Sequence, residues 1–263
     1  LTFTASGDVG FGTVSATRAL LDSAGASGGI STSHQSLDMG DLGTFSFDGM
    51  GGGLVGLTAN DDVLPTAYEE SWTGAGAGDG IAGVGSTNVI GYANTVSGVS
   101  VSVGYTNGEG SAVTAESGAS GAGAHGSTTD IYLSMAAMEG LTIGGGVSRN
   151  TSTSNGTVGD DSSEWLTQVV YSTGPISAGV RMGSSNSGAV GTAAKNVVGY
   201  SVAFNVNENF AVSYAEQEVE QESIGATIAV TEDVSAISAA YTVGAASVRF
   251  HRAEAKNAAF VTS

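Results

Sequence analysis

Several acidic side chains lie in one long segment that lacks sustained periodicity, residues 50–87. Basic residues are scarce, with 7 Lys and Arg in 263 residues, and two of them fall on the polar side of strand patterns: Arg181 and Arg249. Carboxylates opposite such cations in a narrow aqueous passage would create a transverse field that orients polar solutes and filters ions. The alternative is a solvated acidic loop that is unrelated to these cations. The four candidate carboxylates are Asp61, Asp62, Glu69 and Glu70.

A second acidic group lies in the polar stretch 150–163. Asp160 and Asp161 stand close to Glu164 in the sequence, and carboxylate oxygens are the ligands that Ca²⁺ prefers in proteins. The pair is therefore a candidate for a structural calcium site. Its spacing is not that of a calcium-binding loop, so a solvated acidic loop is the alternative.

Other chemistry lacks the residues that it needs. The chain has no cysteine, which excludes disulfides and cysteine ligands or nucleophiles. No Gly-Lys-Ser/Thr follows the glycine run 51–53, and no nucleophile elbow is present. The net charge of −18 argues against nucleic acid as a partner. We expect neither an enzyme nor a cofactor, apart from the calcium ion. The scattered histidines comprise two weaker candidates for inward-facing bases, His34 and His251, and a bystander, His125.

The elements that must hold these side chains are β-hairpins. Runs of about ten residues alternate between apolar and small polar side chains, which places one set on each face of a sheet. The clearest hairpin is Asn88–Thr106, which turns at Val96, Ser97 and Gly98. Short turns of this kind alternate along the chain with long polar loops rich in glycine.

The same pattern predicts thirteen strands. The first is a single strand at Leu1–Thr13, and six hairpins follow it. Their strands are Ile30–Asp41 with Thr44–Gly49, Asn88–Thr95 with Val99–Tyr105, Asp130–Met138 with Leu141–Arg149, Glu164–Ser172 with Ile176–Gly183, Asn196–Val206 with Phe210–Glu218, and Val234–Val243 with Ala246–Arg252.

The arrangement of apolar faces favours a membrane barrel. No run of about 18 apolar residues is present, which excludes a transmembrane helix. One face of a late strand carries Val198, Tyr200 and Val202, and the other carries Gly199 and Ser201. Apolar residues facing lipid and polar residues facing a lumen are typical of transmembrane β-barrels, as are short turns at one rim and long loops at the other. A soluble β-sandwich is the alternative, because its strands also alternate.

Short phrases of the sequence resemble a known family, the Gram-negative general-diffusion porins, in particular the alphaproteobacterial and marine type. The phrases are 37–47 before the longest loop, 198–204 with 210–214, and 237–244. The resemblance implies a single all-β domain over residues 1–263, a transmembrane antiparallel β-barrel of sixteen strands in the full protein. It also implies that the longest loop, 50–87, folds into the lumen as the constriction. In a barrel of sixteen strands with 50–87 as its constriction loop, we expect two further strands before Leu1 and one after Ser263.

The resemblance also implies a function. A porin of this family is an outer-membrane homotrimer, surrounded by lipid and lipopolysaccharide, whose water-filled channel passes small hydrophilic solutes and ions by passive diffusion. A secreted or surface-layer structural or adhesive β protein is the alternative, because glycine, serine and acidity would suit it too. A repetitive solenoid would show a fixed short repeat, whereas the hairpin units here vary in length.

Overall fold

The secondary structure is almost entirely β. The computed structural model describes residues 1–20, 29–50, 55–60, 62–75, 81, 83–84, 88–107, 124–154, 157–158, 161–186, 193–223 and 228–261. Two 3₁₀ turns, Gly40–Leu42 and Ala258–Phe260, accompany the strands. Among the described residues, no helix has the length and apolarity needed to cross a membrane. The strands are β1 (Thr2–Asp8), β2 (Thr13–Leu20), β3 (Ile30–Asp38), β4 (Thr44–Met50), β5 (Val89–Val96), β6 (Val99–Asn107), β7 (Ala124–Met138), β8 (Leu141–Ser154), β9 (Thr157–Val158), β10 (Ser162–Thr173), β11 (Ile176–Asn186), β12 (Lys195–Asn207), β13 (Phe210–Gln221), β14 (Val230–Val243) and β15 (Ala246–Lys256).

The chain groups into two compact units. Unit 1 comprises Leu1–Asn60, Ala82–Leu133 and Gly146–Ser163, and unit 2 comprises Asp61–Ile81, Ser134–Gly145 and Glu164–Ser263. In unit 1 the strands β1 to β8 are neighbours in chain order, and the short β9 pairs with β8. In unit 2 the order is β7, β8 and then β10 to β15. Each unit is therefore an antiparallel meander, as the alternation of short turns and long loops predicts.

The short turns form where the sequence places them. Between β5 and β6, Ser97 and Gly98 have φ angles of 52° and 82°, and Val96 pairs with Val99. Two consecutive positive φ angles are typical of the two-residue hairpin turns whose twist matches that of the flanking strands. Glycine adopts such a φ without steric cost. The turns predicted near Gly43, Gly140, Gly174, Asn209 and Gly244 also join consecutive strands.

The first predicted strand is in fact a hairpin. Leu1–Thr13 was expected to be one strand, but β1 ends at Asp8 and β2 begins at Thr13. The N–H of Val9 donates to the carbonyl of Gly12 over 2.9 Å, and Gly10 has a φ of 89°. Val9 and Phe11 continue the apolar alternation through this turn, which hides it in the sequence. Among the described residues, fourteen strands therefore follow one another in the sheet order, one more than the thirteen predicted, with β9 beside them.

The two faces of the strands differ as the alternation predicts. On β11 the side chains of Val180 and Met182 are exposed, whereas Gly179, Arg181 and Gly183 are buried. On β12 the side chains of Val198, Tyr200 and Val202 are exposed, and Gly199 and Ser201 are buried. The exposed face is thus apolar and the buried face is polar, which is the arrangement of a strand that contacts lipid on one side. Tyr132 is an apolar exception, because it lies on the buried face of β7.

Candidate functional site

The centre of the site is the segment that follows β4. Its described residues 62–75, which belong to unit 2, are called the loop segment. Arg181 on β11 has 0% exposure. Its guanidinium carbon lies 4.6 Å from the ring centroid of Trp72, and its Nη2 donates a hydrogen bond to Gln217 Oε1 on β13. A cation over an indole ring in a desolvated place is a favourable contact. Arg181 therefore fastens the loop segment to the polar face of its strands.

Three further hydrogen bonds join the backbone of the loop segment to side chains of the strands. The amide of Ala67 donates to Ser213 Oγ over 2.8 Å. Ser238 Oγ donates to the carbonyl of Glu69 over 3.4 Å, and His251 Nε2 donates to the carbonyl of Thr73 over 3.0 Å. These residues belong to β13, β14 and β15, so every one of these strands contributes an attachment.

The attachment of His251 also passes through a second side chain. Its Nδ1 lies 2.8 Å from Ser238 Oγ, the same hydroxyl that reaches the carbonyl of Glu69. Because a carbonyl oxygen only accepts, the Nε2 atom that contacts Thr73 must carry a proton. The ring and the hydroxyl thus hold the loop segment at two adjacent points.

Glycines on the strands make room for the apolar side of the loop segment. A Cβ at Gly179 would lie 2.8 Å from Pro65 Cδ and 3.0 Å from Leu64 Cδ2. A Cβ at Gly199 would lie 3.3 Å from Leu64 Cδ1. The glycines on the polar face of β11 and β12 therefore leave the space that the buried Leu64 side chain occupies.

Three of the four acidic candidates lie on this segment. Asp61 falls outside the described residues, Asp62 is exposed, and Glu69 and Glu70 are half-buried. Glu70 Oε2 accepts a hydrogen bond from Thr73 Oγ1 over 3.0 Å. Partial burial acts to raise the pKa of Glu70, but hydrogen bonds with Asp62, with its own backbone and with Thr73 outweigh it. Together with the charge of His251, they lower that pKa below its ordinary value of 4.5.

The basic candidates meet aromatic residues of the same loop segment. Arg249 on β15 is exposed, and its guanidinium carbon lies 5.1 Å from the ring centroid of Tyr68. Arg181 is buried over Trp72, as described above. The structure thus brings both predicted arginines to the segment that carries Glu69 and Glu70. Opposition of these charges across a passage stays a prediction.

In unit 1, the two ends of the same loop pack against other strands. The amide of Gly56 donates to Ser102 Oγ over 2.7 Å. The amides of Leu57 and Val84 both donate to Asp130 Oδ2, over 3.2 and 2.8 Å. Val84 also belongs to an apolar cluster of buried valines, with Val55 and Val89. Sequence reasoning missed Asp130 as a functional residue. The available signal was a carboxylate on the strand face opposite to the one that carries Ile131 and Leu133.

His34 and the calcium candidates lie elsewhere. In unit 1, His34 Nδ1 is 2.6 Å from Oδ1 of the fully buried Asp48. Asp160 falls outside the described residues, and Asp161 Oδ2 accepts from Arg149 Nη2 over 3.1 Å. The described part of the chain holds no group of three His, Cys, Asp or Glu side chains that could bind a metal. The calcium site therefore stays a prediction.

Comparison of sequences gives no relative. No family model matches the chain, and no curated protein matches it at significant similarity. The structure, in contrast, resembles solved structures over nearly its whole length.

Three solved structures illustrate this similarity. In-vitro folded OmpT, an outer membrane protein of Vibrio cholerae in a trimer form, has a TM-score of 0.61 and 13% identity, covering 97% of this chain and 85% of that one. A porin refined at 1.8 Å resolution has a TM-score of 0.66 and 15% identity, covering 97% and 85%. The anion-selective porin of Comamonas acidovorans has a TM-score of 0.58 and 14% identity, covering 96% and 78%.

These similarities define the class of the fold. The chain has the all-β, transmembrane antiparallel β-barrel fold of the outer-membrane porins. The resemblance that short phrases of the sequence indicated is thereby confirmed at the level of the fold.

Proposed function

We propose that this protein is a porin of the cell outer membrane. Its water-filled channel passes small hydrophilic solutes and ions by passive diffusion, and it catalyses no reaction. The observation that carries this proposal is the loop segment 62–75, which is bonded to the polar face of strands in a porin fold. A loop held on the polar face narrows an aqueous passage without filling it with an apolar core.

The exposed charges supply the filter. We assign residues 50–87 to a constriction loop within a single barrel domain, with Asp61, Asp62, Glu69 and Glu70 as its acidic side. Arg249 supplies exposed positive charge beside Tyr68. Arg181 contributes in a different way, since its buried guanidinium fixes Trp72 and with it the position of the acidic residues. Opposed fixed charges in a narrow passage select ions by their electrostatic barriers.

The partners follow from the exposed apolar face. Side chains such as Val180, Met182 and Val202 would contact membrane lipid, with lipopolysaccharide in the outer leaflet. A homotrimer is supported by the trimer form of the similar OmpT. Calcium at Asp160 and Asp161 remains part of the proposal only as a structural ion, and Arg149 competes for one of these carboxylates.

Single-channel conductance in a planar bilayer tests the proposal. The native chain, purified in detergent, should insert in steps, often in threes, with a conductance that rises with salt. The reversal potential in a salt gradient should then shift towards anion selectivity when Asp62 and Glu69 are changed together to Asn and Gln. The matched control is Glu254→Gln, which neutralises an exposed carboxylate paired with Arg252 on β15. A chain that stays soluble without detergent and never conducts would favour the secreted structural protein.

A further inference from the structure

Asp130 on β7 is a carboxylate with 0% exposure that binds two distant parts of the chain. Its Oδ2 accepts the amides of Leu57 and Val84 over 3.2 and 2.8 Å. Leu57 lies near the start of the segment 50–87, and Val84 lies near its end. A single oxygen atom therefore contacts both ends of the loop.

The backbone at both ends is shaped for this contact. Gly56 and Gly83 have φ angles of 62° and 61°, in the left-handed region. A Cβ at Gly56 would lie 2.5 Å from Asp130 Cβ, and a Cβ at Gly83 would lie 2.7 Å from Asp130 Oδ2. Side chains rarely adopt this φ and would collide here, so glycine lets each end approach the same carboxylate.

A carboxyl group buried in this position needs a reason. An ionised carboxylate is costly to bury unless it accepts charge-assisted hydrogen bonds, and such bonds are stronger than those between neutral groups. Val84, whose amide donates to this carboxylate, also belongs to an apolar cluster with Val55 and Val89. An aspartate fixes two backbone amides at defined places, which an apolar contact cannot do.

We propose that Asp130 is a positioning residue that clamps both ends of the constriction loop. The clamp sets where the loop enters and leaves the polar face, and thereby fixes the passage that the loop segment narrows. Its part in the passage rests on the porin function proposed above, whereas the clamp itself rests only on contacts within unit 1.

Amide hydrogen exchange of the full chain in detergent tests the clamp directly. In Asp130→Ala, exchange in peptides that contain Leu57 and Val84 should accelerate by about tenfold or more, because each amide loses a charged acceptor. Asp130→Asn retains an oxygen acceptor of the same shape and should keep most of the protection. The matched control is Asp48→Ala, which removes another fully buried carboxylate of unit 1, one bonded to His34. This control should not accelerate those two peptides selectively.

A second variant covers the case in which Asp130→Ala fails to fold. Gly56→Ala leaves the carboxylate in place but introduces a methyl group 2.5 Å from Asp130 Cβ and 3.1 Å from Oδ2, at a positive φ. It should accelerate exchange in the same two peptides. Unchanged exchange in both variants, or equal acceleration in Asp48→Ala, would overturn the clamp.

Conductance separates this proposal from the proposed function. Channels of Asp130→Ala should show a broader distribution of open-channel currents than the wild type, and Asp130→Asn should resemble the wild type. A wild-type chain that never conducts would refute the porin function, while the exchange experiment would still decide the clamp. Accelerated exchange with an unchanged current distribution would overturn the claim that the clamp sets the passage.

Discussion

The described residues of the segment 50–87 are held by different chemistry in the two units. In unit 1, the ends of the loop are held through their own backbone amides, by Asp130 and Ser102. In unit 2, the loop segment is held in part through a loop side chain, since Trp72 lies against Arg181. Attachment through the backbone tolerates changes in loop side chains, whereas the Trp72 contact does not. In the loop segment, a change of side chain can therefore alter both the attachment of the loop to the strands and the charge that the loop carries.

Loss of Arg181 should have the largest effect. Arg181→Ala removes a buried cation from Trp72 and leaves Gln217 without this donor, so we expect a loss of about 2 to 4 kcal/mol in the free energy of unfolding. Urea unfolding in lipid vesicles, followed by fluorescence, measures it. The chain has two tryptophans, so Trp165→Phe in both proteins leaves Trp72 as the reporter.

Arg252→Ala is the matched control for this experiment. Arg252 and its partner Glu254 on β15 are 70% and 68% exposed, and exposed ion pairs contribute at most about 1 kcal/mol. If the two variants lost equal stability, Arg181 would not anchor the loop segment, and the comparison between the two units would fail.

Substitution of a glycine that packs against the ends of the loop should give the next largest effect. A Cβ at Gly104 would lie 2.7 Å from Val84 Cγ2 and 3.1 Å from Val55 Cγ2. Gly104→Ala should therefore cost about 1 to 3 kcal/mol through overpacking, measured by the same unfolding assay. Gly7→Ala on β1 is the control, because nothing lies within 4 Å of its added Cβ. If Gly104→Ala did not change the free energy of unfolding, the ends of the loop would move aside at little cost. That result would contradict a fixed backbone attachment.

The sequence predicted the strands well and the attachments poorly. Strand positions and faces follow from an alternation that is written into consecutive residues, as in β11 and β12. The first hairpin was missed because Val9 and Phe11 keep the alternation while the chain reverses at Gly10 and Gly12. The bond from Ala67 to Ser213 joins residues 146 positions apart, and no local pattern encodes such a pair.

The same limit explains the site residues. Composition indicated the acidic segment and the two arginines, because charge is rare in this chain. That Arg181 is fully buried against Trp72 depends on the folding of the loop onto the strands. Asp130 and Ser213 were not predicted for the same reason, since an inward polar residue in a barrel strand has water as its expected partner.

The bond to Ser213 should have a moderate effect. Ser213→Ala removes the acceptor of the Ala67 amide, and we expect a loss of about 1 kcal/mol. Hydrogen exchange at Ala67 should accelerate at the same time, which locates the loss. Ser247→Ala is the control, because Ser247 Oγ pairs with Thr242 Oγ1 in an exposed position near a turn. Unchanged exchange at Ala67 would show that the backbone of the loop segment is held elsewhere.

The smallest expected effect is on the pH dependence of stability. It arises from Glu70, in the loop segment, and so adds to the contrast between the two units. The pKa of Glu70 is lower in the folded chain than its ordinary value of 4.5, since hydrogen bonds with Asp62 and Thr73 and the charge of His251 outweigh burial. A group whose folded pKa is lowered stabilises the fold above its unfolded pKa. That stabilisation is complete above pH 4.5 and is lost as the pH falls through the folded pKa. The unfolding free energy of the wild type should therefore fall more steeply below pH 4.5 than that of Glu70→Gln.

Thr73→Val decides whether the hydrogen bonds cause this effect. The variant keeps the shape of the side chain but removes the hydroxyl that donates to Glu70 Oε2 over 3.0 Å. With one stabilising bond lost, the folded pKa of Glu70 should move back towards 4.5, and the extra steepness should shrink. Identical pH profiles for the wild type, Glu70→Gln and Thr73→Val would mean that Glu70 is as well solvated in the folded chain as in the unfolded one. The loop segment would then be attached through Arg181 and its backbone bonds, without a contribution from the Glu70 carboxylate.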